Sequence, residues 1–301
     1  MANAREIQGR IKSINDTMKI TNAMYMISST KLQRAKKELA DTEPFFFTMQ
    51  SMIARTVRHM PEMDHRYLTH DPVGSGKKRG FLVITADKGL AGAYNHNVLK
   101  LAEEELEHSK EWNLFVVGEL GRQYFAGKKI AVDEHFLYTA QHPTFDRARV
   151  ITSRLLEKFD NGELDEIDII FTSMKNGMQS ETKMERLLPL TQQDFSNHLQ
   201  QTAGVMQEEF IFSPSPQAVL ESIVPNYITG YIFGALVESF CSEHNARMMA
   251  MEAANDSAKD MLHQLSIEYN RVRQAAITQE ITEVVSGAKA QKRKKKGDRR
   301  K

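Results

Sequence analysis

The chain has 301 residues, 41% hydrophobic and 26% charged, which excludes wholesale disorder and allows about two domains. Its one cysteine, Cys241, excludes a disulfide framework and a cysteine-rich zinc module. The net charge of +1 hides an asymmetry: eight of the last eleven residues are Lys or Arg and one is Asp, so residues 1–290 carry a net −6 and whole-chain charge is a poor guide to partners.

The N-terminus carries Glu6 early and has no apolar core, so it does not read as a secretion signal, and a cytoplasmic protein is expected. Residues 1–60 read as one long helix. Apolar or small residues recur at Ile7, Ile11, Ile14, Met18, Thr21, Tyr25, Ser28, Leu32, Ala35 and Leu39, in alternating steps of four and three, which is a heptad seam. A kink is expected at Pro44, where one backbone donor is missing. Residues 59–79 read as a polar loop.

An α/β domain is expected over 75–209. Its strands are 81–85, 114–117 and 167–172. Its helices are 95–108 and 145–159, the second with Val150, Leu155 and Leu156 turned inward. Alternating strands and helices predict a Rossmann-like sheet. Residues 184–190 are a candidate edge strand, and 191–209 read as a polar loop.

Residues 210–290 carry the second long helix, with Ser215 as its N-cap, Pro216 at its first position and an end near Lys289. Its seam is Leu262, Leu265, Tyr269, Val272 and Ala276. The uncharged stretch from Ser222 to Val237 is shorter than the ~20 residues of a membrane span, and Pro225 and Asn226 interrupt it. Residues 291–301 read as a solvated, disordered basic tail. The fold class is therefore α plus α/β: a long antiparallel coiled coil of the N- and C-terminal helices, with the Rossmann-like domain inserted at one end.

The two helices differ in length by about 19 residues, roughly 28 Å at 1.5 Å per residue. The last helix should then overhang alone, carrying Ile277, Ile281, Val284 and Val285. Water does not favour such a stripe on a lone helix. The stripe either folds back on the body or is enclosed by another chain. The second reading is preferred, because Gln274 to Val285 contains no Gly or Pro at which to turn back.

Catalytic motifs are weak. Gly74-Ser-Gly-Lys77-Lys78 imitates the end of a phosphate loop, but it precedes the strand and has Lys78 where Ser or Thr is needed. No G-x-G-x-x-G follows the first strand, so dinucleotide binding is unsupported and no cofactor is expected. His59, His65 and His70 share a loop without metal-ligand spacing and read as solvated. Cys241 reads as a small packing residue. The basic tail would attract nucleic acid or anionic lipid, but no aromatic residue is interleaved for base stacking. A small-molecule-binding α/β protein and a nucleic-acid adaptor using the tail are the alternative readings.

Three segments carry a family resemblance. They are Ala2-Asn-Ala-Arg-Glu-Ile7 with Met18-Lys-Ile-Thr-Asn-Ala-Met-Tyr-Met26; Thr85-Ala-Asp-Lys-Gly-Leu-Ala-Gly-Ala-Tyr-Asn95; and Asn270-Arg-Val-Arg-Gln-Ala-Ala-Ile-Thr-Gln-Glu-Ile-Thr-Glu-Val-Val-Ser-Gly-Ala288. The chain resembles the gamma subunit of bacterial F-type ATP synthases up to about Ala290.

That resemblance implies a non-catalytic rotor. The coiled coil would be the shaft of the central stalk, and the α/β domain its foot, against the membrane c ring and the epsilon subunit. Three α and three β subunits would enclose the tip. No nucleic acid partner is implied, and the place implied is peripheral, on the cytoplasmic face of the bacterial plasma membrane. Carried over residue by residue, Met24, Arg247, Arg273, Gln274, Thr278 and Glu280 match shaft contacts to the α and β subunits. Ile277, Ile281, Val284 and Val285 would run in an apolar bearing, and Phe210 and Phe212 match the foot segment facing the c ring. The chain departs from the family pattern at Ala91 and Ala93, where Cys and Gly are usual. It departs again at Ser213, where an acidic residue usually follows the aromatic pair, and in its basic extension.

Overall fold

Helix α1 (Ala4–His59) and helix α5 (Pro216–Asp298) form where the seam periodicity predicts them, and each continues through its internal proline. The computed structural model describes residues 4–59, 64–69, 78–137, 140–175, 179–191, 213 and 215–298. At Pro44 the Thr48 hydroxyl donates to the proline carbonyl at 2.9 Å. The Ser215 hydroxyl accepts from the Ala218 N–H at 3.2 Å, so it caps α5 as expected. The helix runs past Lys289 to Asp298, which corrects the expectation of a disordered tail over that stretch. Lys and Arg at a helix C-terminus face the negative end of its dipole, which favours continuation.

The chain divides into two compact units, residues 1–26 with 250–301, and residues 27–249. In the first, the Thr21 hydroxyl bonds to Asn255, whose amide donates to the Asn22 side chain at 2.6 Å. Ile7, Met251 and Ala258 are buried, and Ile11, Ile14, Met18, Leu262, Leu265, Tyr269 and Val272 are half-buried. Ala276 is exposed, so the seam ends earlier than expected. The register gives the reason. Ala4 lies 17 residues before Thr21, and the same count onward from Asn255 reaches Val272. Beyond that point α1 supplies no partner. Burial also ranks the seam residues. Ile7→Ala should cost about 2–4 kcal/mol and Leu265→Ala about 1 kcal/mol, read as loss of melting stability. The opposite ranking would refute this seam.

The second unit contains a five-stranded sheet in the order β3-β2-β1-β4-β5. The strands are β1 (Lys78–Ile84), β2 (Glu111–Val117), β3 (Glu134–Phe136), β4 (Glu166–Met174) and β5 (Ser180–Leu188). All neighbours pair parallel except β4 with β5. Helices α2 (Tyr94–His108), α3 (Glu119–Gly127) and α4 (Phe145–Asp160) complete the unit. Strand period two sorts the core. Phe81, Val83, Leu114 and Val116 face α2 and α3 with Val98, Ala102 and Phe125. Leu82, Ile84, Phe115 and Val117 pack with Ile151 and Leu155 of α4, Ile53 of α1, and Leu220 to Cys241 of α5.

Several expectations need correction. Helix α3 and strand β3 were not anticipated. Leu155 is buried and Leu156 packs against the core as expected, but Val150 is exposed, and Ala148, Ile151 and Thr152 complete the inward face of α4. Strand β5 begins at Ser180, four residues earlier than read, because an exposed edge strand needs no apolar signal there. The polar loop contains a core residue, Tyr67, fixed where Thr69 N–H and Leu190 O meet at 2.9 Å. His65 is buried rather than solvated, and burial pushes its imidazole pKa down.

A buried ion pair crosses the sheet from β1 to β4. Arg79 donates to the Asp168 carboxylate at 2.7 and 3.1 Å, and to the Ser109 hydroxyl at 3.0 Å. Burial pushes the Asp168 carboxyl up to about 7, against the pull of Arg79. A raised acid pKa means that between about pH 4 and pH 7 the folded chain holds a proton which the unfolded chain has released. The group therefore withdraws stability as pH rises through that window. Asp168→Asn should gain melting temperature relative to the parent between about pH 5 and about pH 8. Parallel curves would show that Arg79 keeps Asp168 charged throughout.

Candidate functional site

The turn between β1 and α2 gathers more directional bonds than its length suggests. The Thr85 hydroxyl donates to Val117 O at 2.8 Å and accepts from Gly121 N–H at 3.0 Å. Asp87 accepts from the Glu119 N–H at 2.9 Å, at the start of α3. The Asn95 side chain accepts from the Ala86 N–H at 2.9 Å. Leu90 and Gly92 both adopt left-handed conformations, φ 62° and 54°, which bend the turn sharply.

In a sheet of this order, the crevice beyond the carboxyl ends of β1 and β4 is where ligands usually enter. Here the chain's own helix α5 occupies it. Ser239 Oγ accepts from the Thr172 N–H at 3.4 Å, and the Ser242 hydroxyl donates to Thr172 O at 3.3 Å, at the end of β4. Ala246 packs on Ala86, Ala91 and Tyr94. A residual cavity of about 50 Å³ remains, lined by Lys31, Asp87, Glu243, His244 and Arg247 among others.

Arg247, expected as a shaft contact to the α and β subunits, is buried in this chain at 6% exposure. Its guanidinium donates to Gly89 O at 3.0 and 3.3 Å, to Lys88 O at 3.2 Å and to the Glu243 carboxylate at 2.5 Å. It also meets His244 Nδ1 at 3.2 Å. Burial pushes the His244 imidazole down to about 3, with the Arg247 and Lys31 charges adding to the effect. A neutral ring can accept from the guanidinium. Burial pushes the Glu243 carboxyl upward, while Arg247 holds it back. Glu243, His244 and Asp87 were not singled out by sequence reasoning. The one signal available was Glu243 and Arg247 four apart on a helix, a spacing common on solvated faces.

The other expected shaft positions lie in the first unit. Arg273, Gln274, Thr278 and Glu280 are exposed and Met24 is half-buried. The Thr278 hydroxyl turns back to Gln274 O at 2.9 Å. The apolar stripe stands in solvent: Ile277 is 47% exposed, Ile281 59%, Val284 71% and Val285 46%. It does not fold back on the chain. Phe210 and Phe212 lie outside the described residues.

Cys241 is buried, and burial pushes its thiol up to about 11, as suits a packing residue. Among the described residues no group of three His, Cys, Asp or Glu side chains is placed to hold a metal ion. Among them, too, no helix is long and apolar enough to cross a membrane.

Comparison with known proteins gives one consistent result. A family model described as ATP synthase matches residues 3–291. The ATP synthase gamma chain of Caldanaerobacter subterraneus subsp. tengcongensis is 43% identical over 292 residues, 94% of this chain and 98% of that protein. Two solved assemblies share the fold. One is the Euglena gracilis mitochondrial ATP synthase in a form with OSCP, F1 and c-ring, with a TM-score of 0.65 at 15% identity, covering 95% of this chain and 94% of that one. The other is the central stalk and c-ring of the Tetrahymena thermophila mitochondrial ATP synthase, with a TM-score of 0.58 at 21% identity, covering 78% and 99%. On this likeness, spread over nearly the whole length of both chains, the protein belongs to the ATP synthase gamma chain family.

Proposed function

We propose that the chain is the non-catalytic central-stalk rotor of a bacterial F-type ATP synthase. It passes rotation of a membrane c ring to three catalytic β subunits, and so couples ATP synthesis to ion translocation. The observation that carries this reading is the exposed apolar stripe from Ile277 to Val285 on a helix that has outrun its partner. An apolar surface slides against an apolar sleeve because it makes no directional bonds that must break at each step. Arg273, Gln274, Thr278, Glu280 and Met24 supply the few directional contacts to α and β subunits that coupling requires. At the foot, Phe210 and Phe212 face the c ring, and the epsilon subunit sits against the α/β domain of residues 75–209. The complex places the chain peripherally on the cytoplasmic face of the plasma membrane. The crevice filled by α5 speaks against the small-molecule-binding alternative.

The test is recovery of the tagged chain from gently solubilised membranes of its own host, with stoichiometry by mass spectrometry. One copy with three each of two larger nucleotide-binding subunits is expected. Recovery of the chain alone would overturn the reading.

A further inference from the structure

The guanidinium of Arg247 bridges two parts of the second unit that lie 158 residues apart in sequence. Its acceptors Lys88 O and Gly89 O belong to an irregular turn, where no strand or helix supplies them a backbone partner. Glu243, one helical turn away on α5, balances the charge, so the fork is held in place before it meets the turn. The turn in turn grips the start of α3 through Asp87 and the end of β2 through Thr85. Any rotation of the sheet about α5 must therefore break several charge-assisted bonds together.

We infer that Arg247 and Glu243 form a torsional latch, positioning residues that make the sheet and the adjoining segment of α5 turn as one body. Arg247 then acts inside the rotor rather than on the surrounding subunits. This rests on the rotor reading above. If the sheet receives the drive from a ring, the latch is where that drive enters the helix. Its loss lets the sheet slip against α5 under load, so ATP is hydrolysed with fewer ions moved.

The experiment uses the whole complex in sealed vesicles and reads ions pumped per ATP hydrolysed. Arg247→Lys keeps the charge but not the planar fork. Glu243→Gln keeps an acceptor but not the charge. Gly92→Ala perturbs the left-handed turn from the other side, without touching the fork. Each is expected to lower the pumping ratio, Arg247→Lys at least threefold, at unchanged subunit stoichiometry. The double variant Glu243→Gln/Arg247→Lys should be little worse than Arg247→Lys alone, because both substitutions open one latch. A ratio equal to that of the parent in all three single variants would overturn the latch. So would a parallel fall of hydrolysis and pumping with the ratio intact, which marks a merely structural role. Loss of ratio in Arg247→Lys alone would place that residue on a partner subunit instead, and would also overturn it. A parent complex that hydrolyses ATP but never pumps would count against the rotor reading and not against the latch.

Discussion

Deleting residues 274–301 should leave the second unit folded and strip the chain of its exposed apolar stripe. Residues 273–289 are all exposed, so the described side chains removed take no packing from the coiled pair. What is lost is the exposed apolar stripe, together with Gln274, Thr278 and Glu280. The melting temperature of the purified chain should change little. Recovery of the assembled complex should fall several-fold, and ATP-driven pumping by what does assemble should fall further. Full pumping by the truncated chain would show that the tip neither seats nor steers the rotor. A large fall in melting temperature would show instead that the tip stabilises the chain itself.

Gly118→Ala is expected to have the largest effect on the second unit. Gly118, between the end of β2 and the start of α3, sits at φ 97° and ψ 140°, a conformation that side chains resist. An added methyl group would also collide with the Thr85 carbonyl, in the turn that carries the latch. Strain and collision together should cost about 3 kcal/mol or more, read by denaturant unfolding. Gly127 is the control. Nothing lies within 4 Å of a methyl group added there, so Gly127→Ala should move stability by less than about 1 kcal/mol. Equal effects at the two glycines would refute the argument.

How far the sequence could be read depended on the range of the interaction that fixed each element. Helices α1 and α5 were legible because their seams repeat over many turns, and the Ser215-Pro216 start is a local signal. The inner strands β1, β2 and β4 were legible as short apolar runs. Helix α3 was not. It has nine residues and opens after Gly118, and its Gly121 looks like a helix breaker until Thr85 is seen packed against it. Strand β5 was legible only from Met184 on, because its first residues, Ser180 to Lys183, are polar and lie on a solvent-facing edge. The exposed stripe followed from counting residues, since it depends only on how far α5 outruns α1. The burial of Arg247 was not legible in the sequence. Its partners come from a turn far away in the chain, and nothing in the spacing of Glu243 and Arg247 separates a buried pair from a solvated one.

The register that ends at Val272 has a mechanical corollary. Resistance to bending rises steeply with the breadth of a rod, so two helices side by side are far stiffer than one. From Arg273 onward the described helix stands alone. That end is compliant where the paired part is rigid. A compliant end, given a snug cylindrical housing, adopts the axis of the housing instead of imposing its own. Small errors of alignment between the driven part of the molecule and whatever surrounds the tip are then absorbed as gentle flexing of a single helix, turn after turn, and do not become friction.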